Sequence, residues 1–295
     1  MNEGNDPQLD GQTGAKQGSK AGLEVGLYRP ADANIDYLDG DEARGIRLLL
    51  DYQKADSLMR QHGVDQTIVV FGGTRILEPA AAQLQLDQRR CQLATDPDDA
   101  TLQQAVAQAE RILDKSGYYT VARELGHLVG RTQSDDASPS LTLMTGGGPG
   151  IMEAANRGAS EVGARTVGLN ITLPHEQNPN AYLTPGLCFE FHYFATRKMH
   201  FLLRAKALVV FPGGFGTIDE LFDTLTLIQT EKIDPLPVVL VGESFWKQAL
   251  NIPFLLDEGV ISSKDLELFW YAETAEDTWQ TIQNWYQAKG EPLIK

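Results

Sequence analysis

The stretch ALVVFPGGFGTIDELFD, Ala207–Asp223, decides how this chain is read. Its apolar start has the character of a buried strand. The strand runs into Pro212, Gly213, Gly214 and Gly216. Beyond Thr217, the residues Ile218, Leu221, Phe222, Leu225 and Ile228 recur at helical spacing. Strand, glycine loop and helix in succession form the repeating unit of a parallel sheet covered on both faces. Glycines in such a loop cost backbone entropy. One return for that cost is the close approach of backbone N–H groups to an anion at the helix N-terminus. Asp219 and Glu220 stand directly behind the loop. A carboxylate repels a phosphate, so these acids need a different target.

The same unit recurs on both sides. TIVVFGG (Thr67–Gly73) reads as a strand ending in glycines, and LTLMTGGGPGIMEAANRGASEVG as strand, glycine loop and helix. RTVGLNITL, CFEFHYF, LPVVLVG and a run near Leu266–Tyr271 read as further strands. FATRKMHFLLRA, SFWKQALNIPFLLDEG (with a bend expected at Pro253) and Ala275–Ala288 read as helices. Upstream, Ile46, Leu49, Leu50, Leu58 and Met59 make Asp41–His62 an amphipathic helix. Residues 77–101 form an excursion, partly helical, and 100–131 are helical with a break near Ser116–Gly117. The predicted fold is α/β: a Rossmann-like, doubly wound, mostly parallel sheet with helices on both faces and an N-terminal extension. Residues 1–40, rich in Gly, Asp, Asn and Gln, are expected to be a flexible tail, and 41–295 a single domain.

Bulk properties narrow the partners. The chain has 295 residues and a formal net charge of -15, which disfavours polymeric nucleic acid and anionic membranes. Cys91 and Cys188 have no metal-ligand spacing and suggest no disulfide framework, so a cytoplasmic setting is expected. No apolar run reaches membrane-spanning length, and the N-terminus has no signal-peptide core. The histidines His62, His127, His175, His192 and His200 form no metal-binding pair. No metal and no cofactor is expected.

Ligands of open parallel sheets bind beyond the carboxyl ends of the strands. Three glycine loops leave strands in that direction: Phe71–Arg75 with Gly72 and Gly73, Thr145–Glu153 with Gly146, Gly147 and Gly148, and Pro212–Glu220. None ends in the Gly-Lys-Ser/Thr of a P-loop, and none has the dinucleotide spacing G-x-G-x-x-G. From Phe191 to Ile218 there is no acidic residue, while Arg197, Lys198, Arg204 and Lys206 fall inside that window. A local basic cluster in an acidic chain suits a small anion. Arg197 and Lys198 are the candidates; Arg204 and Lys206 read as a solvated helix face. Thr217 to Glu220 also has the form of a capping box. The competing reading puts Glu220 beside the sugar of a bound nucleotide, and Glu153 has the same placement after the second loop.

GGGPGIMEAANRGA, the Arg-Lys of FATRKMHF, and PGGFGTIDE together resemble the LOG (Lonely Guy) family. Many of its members carry the older label "lysine decarboxylase". Pro212, Gly213, Gly214, Gly216, Thr217 and Glu220 match every fixed position of its PGGxGTxxE signature. The resemblance runs from Thr67 to about Leu256. It implies a phosphoribohydrolase that cleaves the N-glycosidic bond of a nucleoside 5′-monophosphate, of the AMP or cytokinin riboside monophosphate type, to free base and ribose 5-phosphate. It also implies a homodimer. Arg197 and Glu220 match the family's catalytic pair and Lys198 the companion of that arginine. The glycines of the loops, with Thr217, match its phosphate and ribose contacts, and Glu153 falls where a carboxylate often lies near the ligand. The loop FGGTRI and the acidic insertion around Asp87–Thr101 depart from the pattern and bear on which base is accepted. An alternative is a non-catalytic carrier of a nucleotide or a pterin-type cofactor. A pyridoxal-phosphate decarboxylase would need a Schiff-base lysine, for which the sequence offers no context.

Overall fold

The structure is a computed structural model, and it describes residues 29–133, 140–172 and 178–294. By internal contacts the chain divides into two units, residues 1–47 and 48–295. The expected flexible tail falls mainly on residues 1–28, outside the described residues, as does His175. Within the first unit, Ala31–Ala33 is a 3-10 turn and α1 (Ile35–Asp39) is capped by Asn34, which accepts from the Tyr37 N–H. Arg47 donates to the carbonyls of Leu38 and Gly40, closing the loop between them.

Helix α2 (Arg44–Gln61) continues into the second unit. There follow β1 (Thr67–Phe71), α3 (Pro79–Thr95), α4 (Ala100–Lys115), α5 (Gly117–Gly130), β2 (Thr142–Thr145), α6 (Ile151–Glu161), β3 (Thr166–Ile171) and β4 (Cys188–Phe191). Then come α7 (Phe194–Leu203), β5 (Ala205–Val210), α8 (Phe215–Gln229), β6 (Val238–Val241), α9 (Glu243–Ala249), α10 (Ile252–Asp257), β7 (Trp270–Ala272) and α11 (Ala275–Lys289).

The sheet has seven strands in the order β4-β3-β2-β1-β5-β6-β7, and every pairing is parallel. This is the doubly wound α/β architecture expected. Strand residues alternate between two cores, as a sheet buried on both faces requires. On one face Ile68, Val70 and Val209 pack with Leu125, Ile151 and Ile282 from α5, α6 and α11. On the other, Val69, Phe71 and Val210 pack with Met59, Phe201, Leu221 and Trp246. The strand order reverses between β1 and β5, where Phe71 pairs with Val210. A crevice must open there, because the chains leaving the two strands turn to opposite faces.

Two local readings are corrected. Residues 79–95 are a continuous helix rather than a partly helical excursion. The break in the penultimate helical region lies at Leu250–Asn251. Asn251 caps α10 through the Phe254 N–H and Pro253 sits in its first turn, where a missing N–H costs nothing. The helix expected over Asp41–His62 is present as α2, with Ile46, Leu49 and Leu50 of its stripe about half exposed and Ala55 and Met59 further along buried.

Candidate active site

Gly73 joins the glycine loops. Its N–H donates to the Pro212 carbonyl at 2.9 Å, and its own carbonyl accepts from the Ile151 N–H at 3.3 Å. Loops after β1, β2 and β5 are thereby held at one sheet edge. Gly150 makes the approach possible. It has φ of 72°, and a Cβ there would sit 2.4 Å from the Gly73 carbonyl oxygen. A polar network steadies the second loop from behind. Thr145 Oγ1 accepts from the Gly147 N–H and donates to Asn156 Oδ1, and Asn180 Nδ2 donates both to Asn156 Oδ1 and to the Gly148 carbonyl.

Between these loops lies a cavity of about 340 Å³. Gly72, Gly73, Gly146, Gly148, Gly214, Gly216, Thr217, Arg197 and Glu220 all line it. The first turns of α6 and α8 both reach it, through Met152 and through Gly216 and Thr217. The first N–H groups of a helix lack intrahelical partners and carry partial positive charge. Two such ends in one cavity suit a phosphate.

Glu220 is not a helix cap. Helix α8 begins at Phe215 with Gly214 as its N-cap, and no side-chain cap bond is made. Thr217 is therefore already inside the helix, and the Thr217 and Ile218 N–H groups both donate to the Gly214 carbonyl. The capping-box geometry is gone, because Glu220 lies beyond the first turn. It sits one turn after Gly216 and Thr217 on the same helical face, 6% exposed, and looks into the cavity. Burial pushes its carboxyl above the usual value, while the Lys198 and Arg197 charges pull it back down.

Arg197 reaches the cavity from α7. Its Nε donates to the Leu169 carbonyl at 2.7 Å, and its guanidinium lies 5.1 Å from the centre of the Phe201 ring. Its terminal Nη2 lies against Gly146, so the charged end is held at the cavity wall. Burial lowers its pKa and the Glu220 charge raises it. Lys198, the next residue, does not line the cavity. Its Nζ is 2.9 Å from Asp219, 3.6 Å from Glu220 and 3.7 Å from Asp223. Burial works against its charge, but those carboxylates outweigh burial and raise its pKa.

The remaining residues separate. Gly147 and Gly213 back the cavity without lining it. A Cβ on Gly213 would fall 2.2 Å from Thr217 Oγ1, so that glycine lets the threonine face inward. Glu153 also lies outside the lining and accepts from the Tyr119 hydroxyl at 3.1 Å. Burial first, and then Glu153, are among the influences that push the Tyr119 hydroxyl up to about 12. Arg204 is not part of a solvated face. Its side chain is 9% exposed, pairs with Asp56 at 2.6 Å and donates to the Val64 carbonyl. Lys206 lies over the Tyr286 ring.

Several contributors went unread in the sequence. Thr74, Asn170 and Phe194 line the cavity. Asn170, a polar residue at the carboxyl end of a buried strand, carried a usable signal. Asp51 on α2 accepts from the backbone N–H groups of His192 and Tyr193 and from Thr196 Oγ1, anchoring the start of α7 and with it Arg197.

An open parallel sheet with two helix N-termini, an arginine and a buried carboxylate at its switch point has the features that suit a small phosphorylated ligand. Comparison with known proteins takes this further. The family model described as "Possible lysine decarboxylase" matches residues 152–282. The cytokinin riboside 5′-monophosphate phosphoribohydrolase LOG3 of Arabidopsis thaliana is 25% identical over 175 residues, covering 58% of this chain and 77% of its own length. The pyrimidine/purine nucleotide 5′-monophosphate nucleosidase of Escherichia coli K12 is 29% identical over 159 residues, covering 48% of this chain and 31% of its own. A structural-genomics X-ray structure aligns over 74% of this chain and 99% of its own, at 20% identity and a TM-score of 0.46, too low to add to the fold seen directly. The resemblance to the LOG family read from the motifs is borne out. No described helix is long and apolar enough to cross a membrane.

Proposed function

We propose that the chain hydrolyses the N-glycosidic bond of a nucleoside 5′-monophosphate, with AMP as the reference substrate. The observation that carries this reading is a buried carboxylate, Glu220, facing the same cavity as two helix N-termini. The relatives' printed activities support it. In this reading the N-termini of α6 and α8, with Thr217, take the 5′-phosphate. The sugar then lies against Glu220. As the bond from C1′ to the base nitrogen lengthens, positive charge grows on the ribose ring, and the Glu220 carboxylate stabilises it. A water molecule supplies hydroxyl to C1′ and a proton that ends on the departing base or in solvent. Arg197 orients the substrate and balances the negative charge of phosphate and carboxylate. Lys198 acts behind Glu220, holding it ionised against burial. Glu153 serves the second loop through Tyr119 and touches no substrate.

Among the described residues no lysine is in the cavity lining, and Lys198 beside it is engaged by Asp219, Glu220 and Asp223, which disfavours a Schiff-base role. In the carrier alternative Glu220 would serve only to accept a hydrogen bond from a ribose hydroxyl, and the relatives' printed hydrolytic activities favour the catalytic role. The reading includes a cytoplasmic protein assembled from two or more copies. Half-exposed Leu49 and Leu50 on α2 and Met199 and Leu203 on α7 support the assembly, and sedimentation at micromolar concentration tests it. The activity itself is tested by incubating the chain with a panel of nucleoside 5′-monophosphates and separating the products by chromatography. Free base is expected, and its absence across the panel overturns the hydrolase reading.

A further inference from the structure

We propose that Phe194 is the platform on which the nucleobase stacks; this rests on the nucleotide reading above. Phe194 is the first residue of α7 and lines the cavity, yet it is 51% exposed. The other aromatic residue lining the cavity, Phe71, is committed elsewhere: it is 5% exposed and its ring packs edge-on against Phe201 at 4.6 Å. Among the described residues the Phe194 ring has no aromatic or cationic partner. Exposed aromatic surface is unfavourable in water, and a flat ligand group laid against it recovers that loss.

Position agrees with this. Phe194 and Arg197 are three residues apart on α7, so they share a face of the helix. The cavity has a polar end, built from the glycine loops and the α8 N-terminus. Ile171 and Phe194 also line the cavity and are apolar, while the Asn170 carboxamide at the end of β3 lies close against Gly147 of the second glycine loop. A nucleotide laid with its phosphate at the helix ends and its sugar at Glu220 and Arg197 can set its base against Phe194, one turn from Arg197 on the same face of α7. Every nucleobase has a π-face, so such a platform holds bases broadly, and the polar groups around it supply any selection.

The test uses the Glu220→Gln protein, so that AMP is turned over only slowly, and calorimetric titration with two probes. AMP carries a base and ribose 5-phosphate does not. Adding Phe194→Ala is expected to weaken AMP binding by about 5- to 150-fold, the usual range for losing one base–aromatic stack. Ribose 5-phosphate affinity is expected to stay within about twofold of the parent, since contacts at the phosphate end are unchanged. Phe194→Tyr should bind AMP like the parent, because the ring is kept. Unchanged AMP affinity in Phe194→Ala overturns the proposal. So does an equal loss for both probes, which assigns Phe194 to the packing of α7 or to contact between copies. If the parent Glu220→Gln protein binds neither probe, the nucleotide reading itself fails and the platform falls with it, a pattern distinct from the other two.

Discussion

Replacing Glu220 by glutamine keeps the shape of the side chain and removes its charge. The structure separates two consequences of this change. The first concerns stability. Burial raises the Glu220 pKa above its ordinary 4.5, so between that value and the raised one the folded chain holds more protons than the unfolded chain. Stability then falls as pH rises through the window, and the cost of the ionised carboxylate is present in full above it. Glutamine carries no such cost. At neutral pH the variant should match or exceed wild-type thermal stability, and acidification towards pH 4.5 should erase any advantage. Loss of a helix cap cannot intervene, because α8 starts at Phe215 and Glu220 caps nothing. The second consequence concerns rate. An ionised group facing the developing sugar cation typically contributes on the order of 10²–10³ in turnover, about 3–4 kcal/mol of barrier. The assay is release of base from AMP by wild type and variant, with thermal unfolding followed in parallel. A stable variant with near-normal turnover refutes the role given to Glu220. A variant strongly destabilised at neutral pH would mean that Glu220 is there to hold Lys198.

Three further outcomes are expected. Lys198→Met removes the largest influence holding the Glu220 pKa down, so the acid limb of the pH–rate profile should move to higher pH; an unmoved limb contradicts the coupling between them. Asp51→Asn weakens charged hydrogen bonds at the start of α7, costing about 1.5–3 kcal/mol and several degrees of Tm, and it should lower turnover by misplacing Arg197; unchanged Tm and rate would dismiss that anchor. Gly213→Ala drives a methyl group to 2.2 Å from Thr217 Oγ1 and should lower thermal stability as well as AMP binding, whereas a Gly214→Ala methyl meets no protein atom and should leave thermal stability unchanged, so equal stability of the two variants refutes the packing argument.

The parallel sheet was legible because apolar runs and glycine loops alternate with periodic helices, a signal local to each segment. The cavity was legible for a related reason: glycine loops at strand ends converge in any doubly wound sheet. What stayed hidden was non-local or conformational. Thr217 to Glu220 has a capping-box sequence, but only the backbone reveals that Gly214 already starts the helix. Gly-Phe-Gly is so poor a helix former that sequence places the helix start too late. Asp51 holds a helix more than 140 residues away, and nothing near it announces that partner. Arg204 looked solvated because charge patterning carries no record of Asp56. Lys198 follows Arg197 directly, yet successive residues on a helix point about 100° apart, so one enters the cavity while the other meets the acids of α8.

The central claim is that this cavity acts on a sugar presented by its 5′-phosphate. Initial rates of adenine release from AMP and from adenosine, measured side by side with the wild-type chain, test it most directly. The account predicts adenine and ribose 5-phosphate in equal amounts from AMP, and negligible adenine from adenosine, because the helix ends that hold the phosphate then have nothing to bind. Equal rates from the two substrates, or no adenine from AMP, would contradict it.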